Sequence, residues 1–294
     1  MTVEGQQPDD LPVPFIVGAG RSGTTLLRLM LDAHPELAIP PETHCLHKLI
    51  ALRPADPQAF VDIVAGLHTW PDLHFDAAEL GERLAGVRPF TLRGAVETFF
   101  LTYAQRMGKR RWGDKSPSHV LSMTAIQQLL PQVRFIQLVR DGRDVALSYR
   151  DKSFGPGADI AAAARFWRER IEVARQHAAR LVPGTYLEIR YEDLVTDTRR
   201  MLERIAGFLV LPFDEAMLDY HRNAARRLEE LEEIRGGDGR VLVPRDQRRS
   251  IHAVTHRPPD PSQIGKWRAV YDAEVLARFN AVAGDLLREF GYDD

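Results

Sequence analysis

An α/β fold, a central parallel sheet flanked by helices, is predicted by three observations on this 294-residue sequence. Apolar runs that do not alternate with polar residues recur along the chain. Each is followed by a repeat at helical spacing, and the first is joined to its helix by a glycine-rich turn. Continuous apolar strands belong to sheets covered on both faces, and strand-then-helix units lay such strands parallel.

The elements follow in order. PFIV reads as a strand ending at Gly18, and Leu26, Leu27, Met30 and Leu31 then recur at helical spacing until His34-Pro35. ELAIPPE is extended and leads into a helix over THCLHKLIALR. Residues 57–107 read as several short helices without a strand. VRFIQLV (133–139) is a buried strand, RDGRD a polar turn, and a helix is expected from Val145. A long helix spans about Ile160 to Arg180, with Phe166 and Trp167 expected in the core. GTYLEIRYEDL is the third strand, passing into a helix with Met201, Leu202, Ile205, Phe208 and Leu209 on its apolar face. RRLEELEEIRGGDGR reads as a solvated helix end and loop, and DAEVLARFNAVAGDLLREFGY as a closing amphipathic helix. No repeat or linker divides the chain, so one domain is expected over 1–294. Within it we expect a disordered tail (1–11), a helical segment (41–110) and a loop region (215–268).

A chain of this size buries about 75% of its unfolded surface. The formal net charge of −2 supplies no global basic field, which argues against a nucleic-acid partner. Cys45 is the only cysteine, so neither a disulfide framework nor a Cys-based metal site is expected. The opening MTVEGQQPDD is polar and no secretory or membrane-spanning run follows it, which sets a cytoplasmic expectation with no membrane span. Of the basic residues 34 are arginine and five are lysine, a usage that suggests a bacterial source. Nothing in the sequence selects an oligomeric state.

The glycine-rich turn carries the first chemistry. Gly18, Gly20 and Gly23 permit positive-φ turns that converge N–H groups on an anion, and the helix start near Thr24 adds its dipole. Gly18 to Thr25 match G-x-x-x-x-G-K-[ST] except at the lysine, where Thr24 stands. A triphosphate hydrolase would lack its phosphate counter-charge there. The cation lies inside the loop instead, as Arg21. The competing reading is an ordinary strand-to-helix turn.

GAGRSGTTLL resembles the 5′-phosphosulfate loop of sulfotransferases that use 3′-phosphoadenosine 5′-phosphosulfate (PAPS), and its arginine resembles tyrosylprotein sulfotransferases and their bacterial relatives. The resemblance implies a P-loop-like three-layer architecture, PAPS as co-substrate and adenosine 3′,5′-bisphosphate (PAP) as product. It implies that Arg21, Ser22, Gly23, Thr24 and Thr25 hold the 5′-phosphosulfate, with Arg21 neutralising charge on the bridging oxygen. RFIQLVRDGRDVALSY resembles the 3′-phosphate motif, with Arg140 at a strand end and Ser148 eight residues on, able to converge on one phosphate. Arg143 and Asp144 read as a solvated, self-paired turn.

YLEIRYEDLVTDTRRMLERIAGFLVLPFD resembles the family's later strand-helix unit, with Tyr191 near the adenosine. RPPDPSQIGKWR resembles the segment closing over the nucleotide, with Arg257 on the 3′-phosphate side. Ser250, in RDQRRSIH, is a further candidate for nucleotide contact, although that run also reads as a solvated loop. The resemblance covers most of the chain and is weakest at 55–105 and 215–250.

WGDKSPSHVL resembles the Lys-Ser/Thr-Pro stretch of glycan and protein sulfotransferases, which makes Lys115 a candidate transition-state cation. The Lys-x-His base of small-molecule sulfotransferases is absent, and His119 is expected to point elsewhere. PPETH resembles the Glu-Glu-Thr stretch whose second glutamate is the base, which assigns that role to Glu42. Near Arg21 and Lys115 its carboxyl would stay ionised. A helix-capping role is its ordinary alternative, and His44 is the reserve base. His252 and His256 lack partners for a zinc site, and no metal is expected. The implied reaction moves a sulfuryl group to a hydroxyl of a small-molecule, lipid or glycan acceptor. The alternatives are an ATP- or GTP-dependent kinase with a degenerate loop and a non-catalytic nucleotide-binding module.

Overall fold

The computed structural model describes residues 11–152 and 154–292, and the side chains of 253 and 254 are not among those described. The expectation for the tail therefore lies, up to residue 10, outside the described residues. In chain order, β1 (Val13–Gly18) leads into α1 (Thr24–Asp32) and the short β2 (Leu37–Ala38). Then come α2 (Leu46–Leu52), α3 (Pro57–Ala65), α4 (Ala77–Leu84) and α5 (Leu92–Arg106), with a 3₁₀ turn at Trp70–Leu73. Two-residue strands β3 (Arg111–Trp112) and β4 (Asp114–Lys115) precede α6 (Met123–Leu129). The central part is β5 (Val133–Val139), α7 (Gly142–Tyr149), α8 (Ile160–Ala178), β6 (Tyr186–Arg190), α9 (Tyr191–Thr196) and α10 (Thr198–Phe208). Last come α11 (His221–Leu228), the antiparallel hairpin of β7 (Ile234–Arg235) and β8 (Val241–Val243), α12 (Arg245–Ser250) and α13 (Ala273–Glu289). No described helix is long and apolar enough to cross a membrane.

The main sheet has four parallel strands in the order β4-β1-β5-β6, with Phe15 opposite both Asp114 and Phe135. Its continuous apolar strands serve two layers. Phe15, Val17 and Phe135 pack against α3, α4 and α5, whereas Ile16, Ile136 and Leu138 pack against α1, α9 and α10. Burying each such side chain contributes roughly 1.5–3 kcal/mol, so burial on both faces holds these strands in place. A third core joins α7, α8 and α13 around Trp167 and Phe279.

Several expectations are corrected. The pair β3 and β4 carries too few residues to show a period, yet β4 is an edge strand of the main sheet. The helix after Val139 starts at Gly142, not Val145, because Asp141 caps it through the N–H of Arg143. β6 stops at Arg190 and YEDL is helical. The helix expected from Thr43 begins at Leu46, since Thr43 Oγ1 instead donates to Asp114 at 2.9 Å and His44 is left-handed at φ 49°. The charged stretch after Arg226 is not simply solvated. Arg227 is buried and donates to Asp32 at 2.7 and 3.1 Å and to the Tyr103 hydroxyl at 2.6 Å. Burial pushes the Asp32 carboxyl up, but Arg227, Lys109 and Arg28 together hold it below its ordinary value.

Candidate active site

Four strand ends deliver the site, outside the carboxyl edge of the sheet where α/β folds bind ligands. β1 ends in the glycine-rich turn, β4 in Lys115, β5 in Arg140 and β6 in Tyr191. All four border one cavity of about 750 Å³, within the ~300–1,000 Å³ range of ligand pockets.

The turn is built for an anion. Gly23 caps α1 in the left-handed conformation at φ 91°, no side chain caps the helix, and its first turn carries no carboxylate. The N–H groups there have no acceptor within the helix. A Cβ at Gly23 would strike the Tyr191 ring and one at Gly20 the Tyr149 hydroxyl, so the backbone sits tight against both. Arg21 is also left-handed, at φ 71°, a cost accepted where its side chain must turn toward the cavity. Its guanidinium donates through Nε to Ser148 Oγ at 2.9 Å and lies between the charges of Arg140 and Glu42. Burial lowers its pKa.

Arg140 lines the same cavity, its guanidinium 4.7 Å from the Tyr191 ring centroid and 3.4 Å from Asp144. Arg143 and Asp144 are buried, not a solvated turn. Arg143 pairs with Asp141, and Asp144 accepts from the N–H groups of Gly265 and Trp267. Those bonds draw residues 251–267 over the cavity as a strap. Arg21 donates to the Ile251 carbonyl at 3.4 Å and Arg140 to the Gln263 carbonyl at 2.7 Å. Tyr220 donates to the carbonyl of Arg257, whose exposed side chain lines the cavity.

Deeper in, Lys115 Nζ lies 2.5 Å from Glu42 Oε1 and 3.2 Å from Thr25 Oγ1. Glu42 Oε2 meets His44 Nε2 at 2.9 Å. Burial would push the Glu42 carboxyl up, but Lys115 and His44 hold it well below its ordinary range. Burial lowers the Lys115 ammonium, against the pull of Glu42. Asp114 fixes the whole group: it accepts from Thr43 Oγ1 and bonds His119 Nδ1 at 2.9 Å, which turns His119 away from the cavity. The Ser116 hydroxyl accepts from the N–H of His44 at 3.3 Å. His44 and His68 stack with ring centroids 6.1 Å apart.

Some candidates stand elsewhere. Ser250 is exposed and does not border the cavity, because its hydroxyl donates to the Gln247 carbonyl of its own helix. The Ser22 hydroxyl is buried without a partner, and Ser148 is engaged by Arg21. Phe166 packs against the third core, as expected, and also borders the cavity. Sequence reasoning missed His252, which lines the cavity from the strap. Burial and the nearby Lys115 and Arg21 push its imidazole down to about 3. It missed Asp114 as well; its place beside Lys115 was the available signal. Among the described residues no group of three or more His, Cys, Asp or Glu side chains is arranged to hold a metal.

Comparison with known proteins agrees with this geometry. The sequence model described as "Sulfotransferase family" matches residues 12–215. The chain is 27% identical over 297 residues to protein-tyrosine sulfotransferase 2 of Gallus gallus, covering 99% of this chain and 72% of that protein. It is also 27% identical over 290 residues to protein-tyrosine sulfotransferase 1 of Danio rerio, covering 97% and 73%. Among solved structures, the sulfotransferase domain of the Synechococcus PCC 7002 olefin synthase superposes with a TM-score of 0.60 at 24% identity, covering 95% of this chain and 97% of that one. The last likeness shows the shared fold.

Proposed function

The chain belongs to the sulfotransferase family, and from that premise we propose that it moves a sulfuryl group from PAPS to a hydroxyl, releasing PAP. The observation that carries this reading is the Glu42–Lys115 pair set against Thr25 at the head of the anion-binding helix, on a cavity that also takes Arg21 and Arg140. The donor supplies the activated sulfuryl group. The acceptor oxygen forms a bond to sulfur, the bridging sulfur–oxygen bond breaks, and the acceptor proton passes to Glu42. Main-chain N–H groups from Arg21 to Thr25 hold the 5′ end, Arg21 meets charge on the bridging oxygen, and Lys115 meets charge on the sulfuryl oxygens. Arg140, with Arg257, takes the 3′-phosphate, and Tyr191 takes the adenosine side. Cations of the chain serve where phosphoryl transfer uses a metal, so none is part of the proposal. His44 orients Glu42 and is the base to test if Glu42 is not. A single domain and a cytoplasmic, bacterial setting belong to the same proposal. An unpaired Cys45 and the arginine-rich composition support that setting.

Calorimetry with PAP against ADP, without magnesium, tests the donor assignment. The expected result is tighter PAP binding, because ADP offers nothing to Arg140. Equal or tighter ADP binding overturns the reading in favour of a kinase.

A further inference from the structure

The lining of the cavity also includes apolar side chains. Leu231, Ile234 and Val243, from the turn after α11 and the β7–β8 hairpin, present an aliphatic wall. Tyr149, Phe154 and Phe166 form an edge-to-face aromatic group, with ring centroids 5.9 and 5.5 Å from Tyr149. Glu42 lines the same cavity.

Four cations that line the cavity, Arg248, Arg28, Arg170 and Lys115, each stand near a carboxylate. Arg248 donates to both carboxylate oxygens of Asp72 at 2.7 Å. Arg28 is 1% exposed and faces Glu230 at 3.6 Å, and Arg170 lies 3.2 Å from Glu169. Lys115 is held by Glu42. An acidic acceptor would therefore compete with those carboxylates for the four cations and would bring its own desolvation cost, whereas an apolar body gains from the aliphatic wall and the aromatic group.

Resting on the sulfotransferase reading, we propose that the acceptor is an uncharged alcohol or phenol with an apolar body. That body lies between the hairpin wall and the aromatic group, and its hydroxyl is directed at Glu42.

The test gives the full chain PAPS with two series, phenol to 4-octylphenol and 1-butanol to 1-decanol, and with a tyrosine peptide flanked by aspartates. In one series at least, kcat/KM is expected to rise tenfold or more with chain length and to exceed that of the peptide. Ile234→Asp and, separately, the rim variant Phe154→Ser are expected to raise KM for the long acceptors at least fivefold while PAP binding in calorimetry stays unchanged. Flat series, preference for the acidic peptide, or PAP binding with no turnover of either series overturns the inference and leaves the donor assignment standing. Absence of PAP binding overturns the underlying reading, and the inference with it.

Discussion

At Glu42 both carboxylate oxygens are engaged, one by an ammonium and one by an imidazole. That arrangement favours the ionised form strongly enough to outweigh burial. It also fixes which lone pairs face an incoming hydroxyl. Glu42→Gln keeps the shape and removes the proposed proton acceptor. Sulfuryl transfer is expected to fall ~10²–10⁴-fold with PAP affinity unchanged in calorimetry, and an unchanged rate would move the role to His44. The depressed carboxyl also has a pH signature. Glu42 stays ionised below the ordinary carboxylate pKa of ~4.3, so the transfer-rate profile is expected to show no acid limb at that value. A limb there would mean that the Lys115 pairing does not persist in the working enzyme. Motif matching named Glu42, Lys115, Arg21 and Arg140, because each lies in a short contiguous stretch that resembles a family motif. It passed over Asp114, whose one signal was its place beside Lys115, and gave His252 no place in the cavity, because that place depends on how the strap folds back.

Among the elements, the long strands and amphipathic helices were legible because their periods repeat over several residues. β4 was not, since two residues show no period, and the β7–β8 hairpin lay hidden in a run of charges, with only Ile234 and Val243 of its apolar residues bordering the cavity. The strap was legible in outline only. Its hold on α7 runs through main-chain N–H groups to Asp144, which no side-chain pattern reveals. His252 gives this element its own pH response. Its imidazole titrates near 3 in the folded chain and at 6.5 when unfolded. Between those values the unfolded state binds more protons, so stability of the strap falls as pH drops from about 6.5 toward about 3. Hydrogen exchange over 251–263, corrected for intrinsic rate, is expected to speed up between pH 7.5 and 5 (round values chosen as about one unit above and 1.5 below that ordinary pKa). In His252→Gln the increase is expected to shrink, and an equal increase in both proteins would exclude this origin.

Across the whole molecule, the buried cluster of Asp32, Arg227, Glu230, Arg28 and Tyr103 ties the far end of the anion-binding helix to α5 and α11. Arg227→Met would remove the cation bonded to both Asp32 and Glu230 and leave these carboxylates only Lys109 and Arg28, a change that costs up to about 3–5 kcal/mol. Urea unfolding should show that loss, and adding Asp32→Asn should recover part of it. If the single variant unfolds at the wild-type midpoint, the cluster is not a structural tie. The strap has a consequence of another kind. Ile251 and Gln263 lend their carbonyls to the two arginines proposed to hold the donor's anionic ends, so on that proposal one exchange of partners accompanies each arrival and each departure. Ile251 also borders the cavity that Glu42 lines. Turnover should then be compulsory in sequence: donor first, acceptor second, with the bisphosphate last to leave.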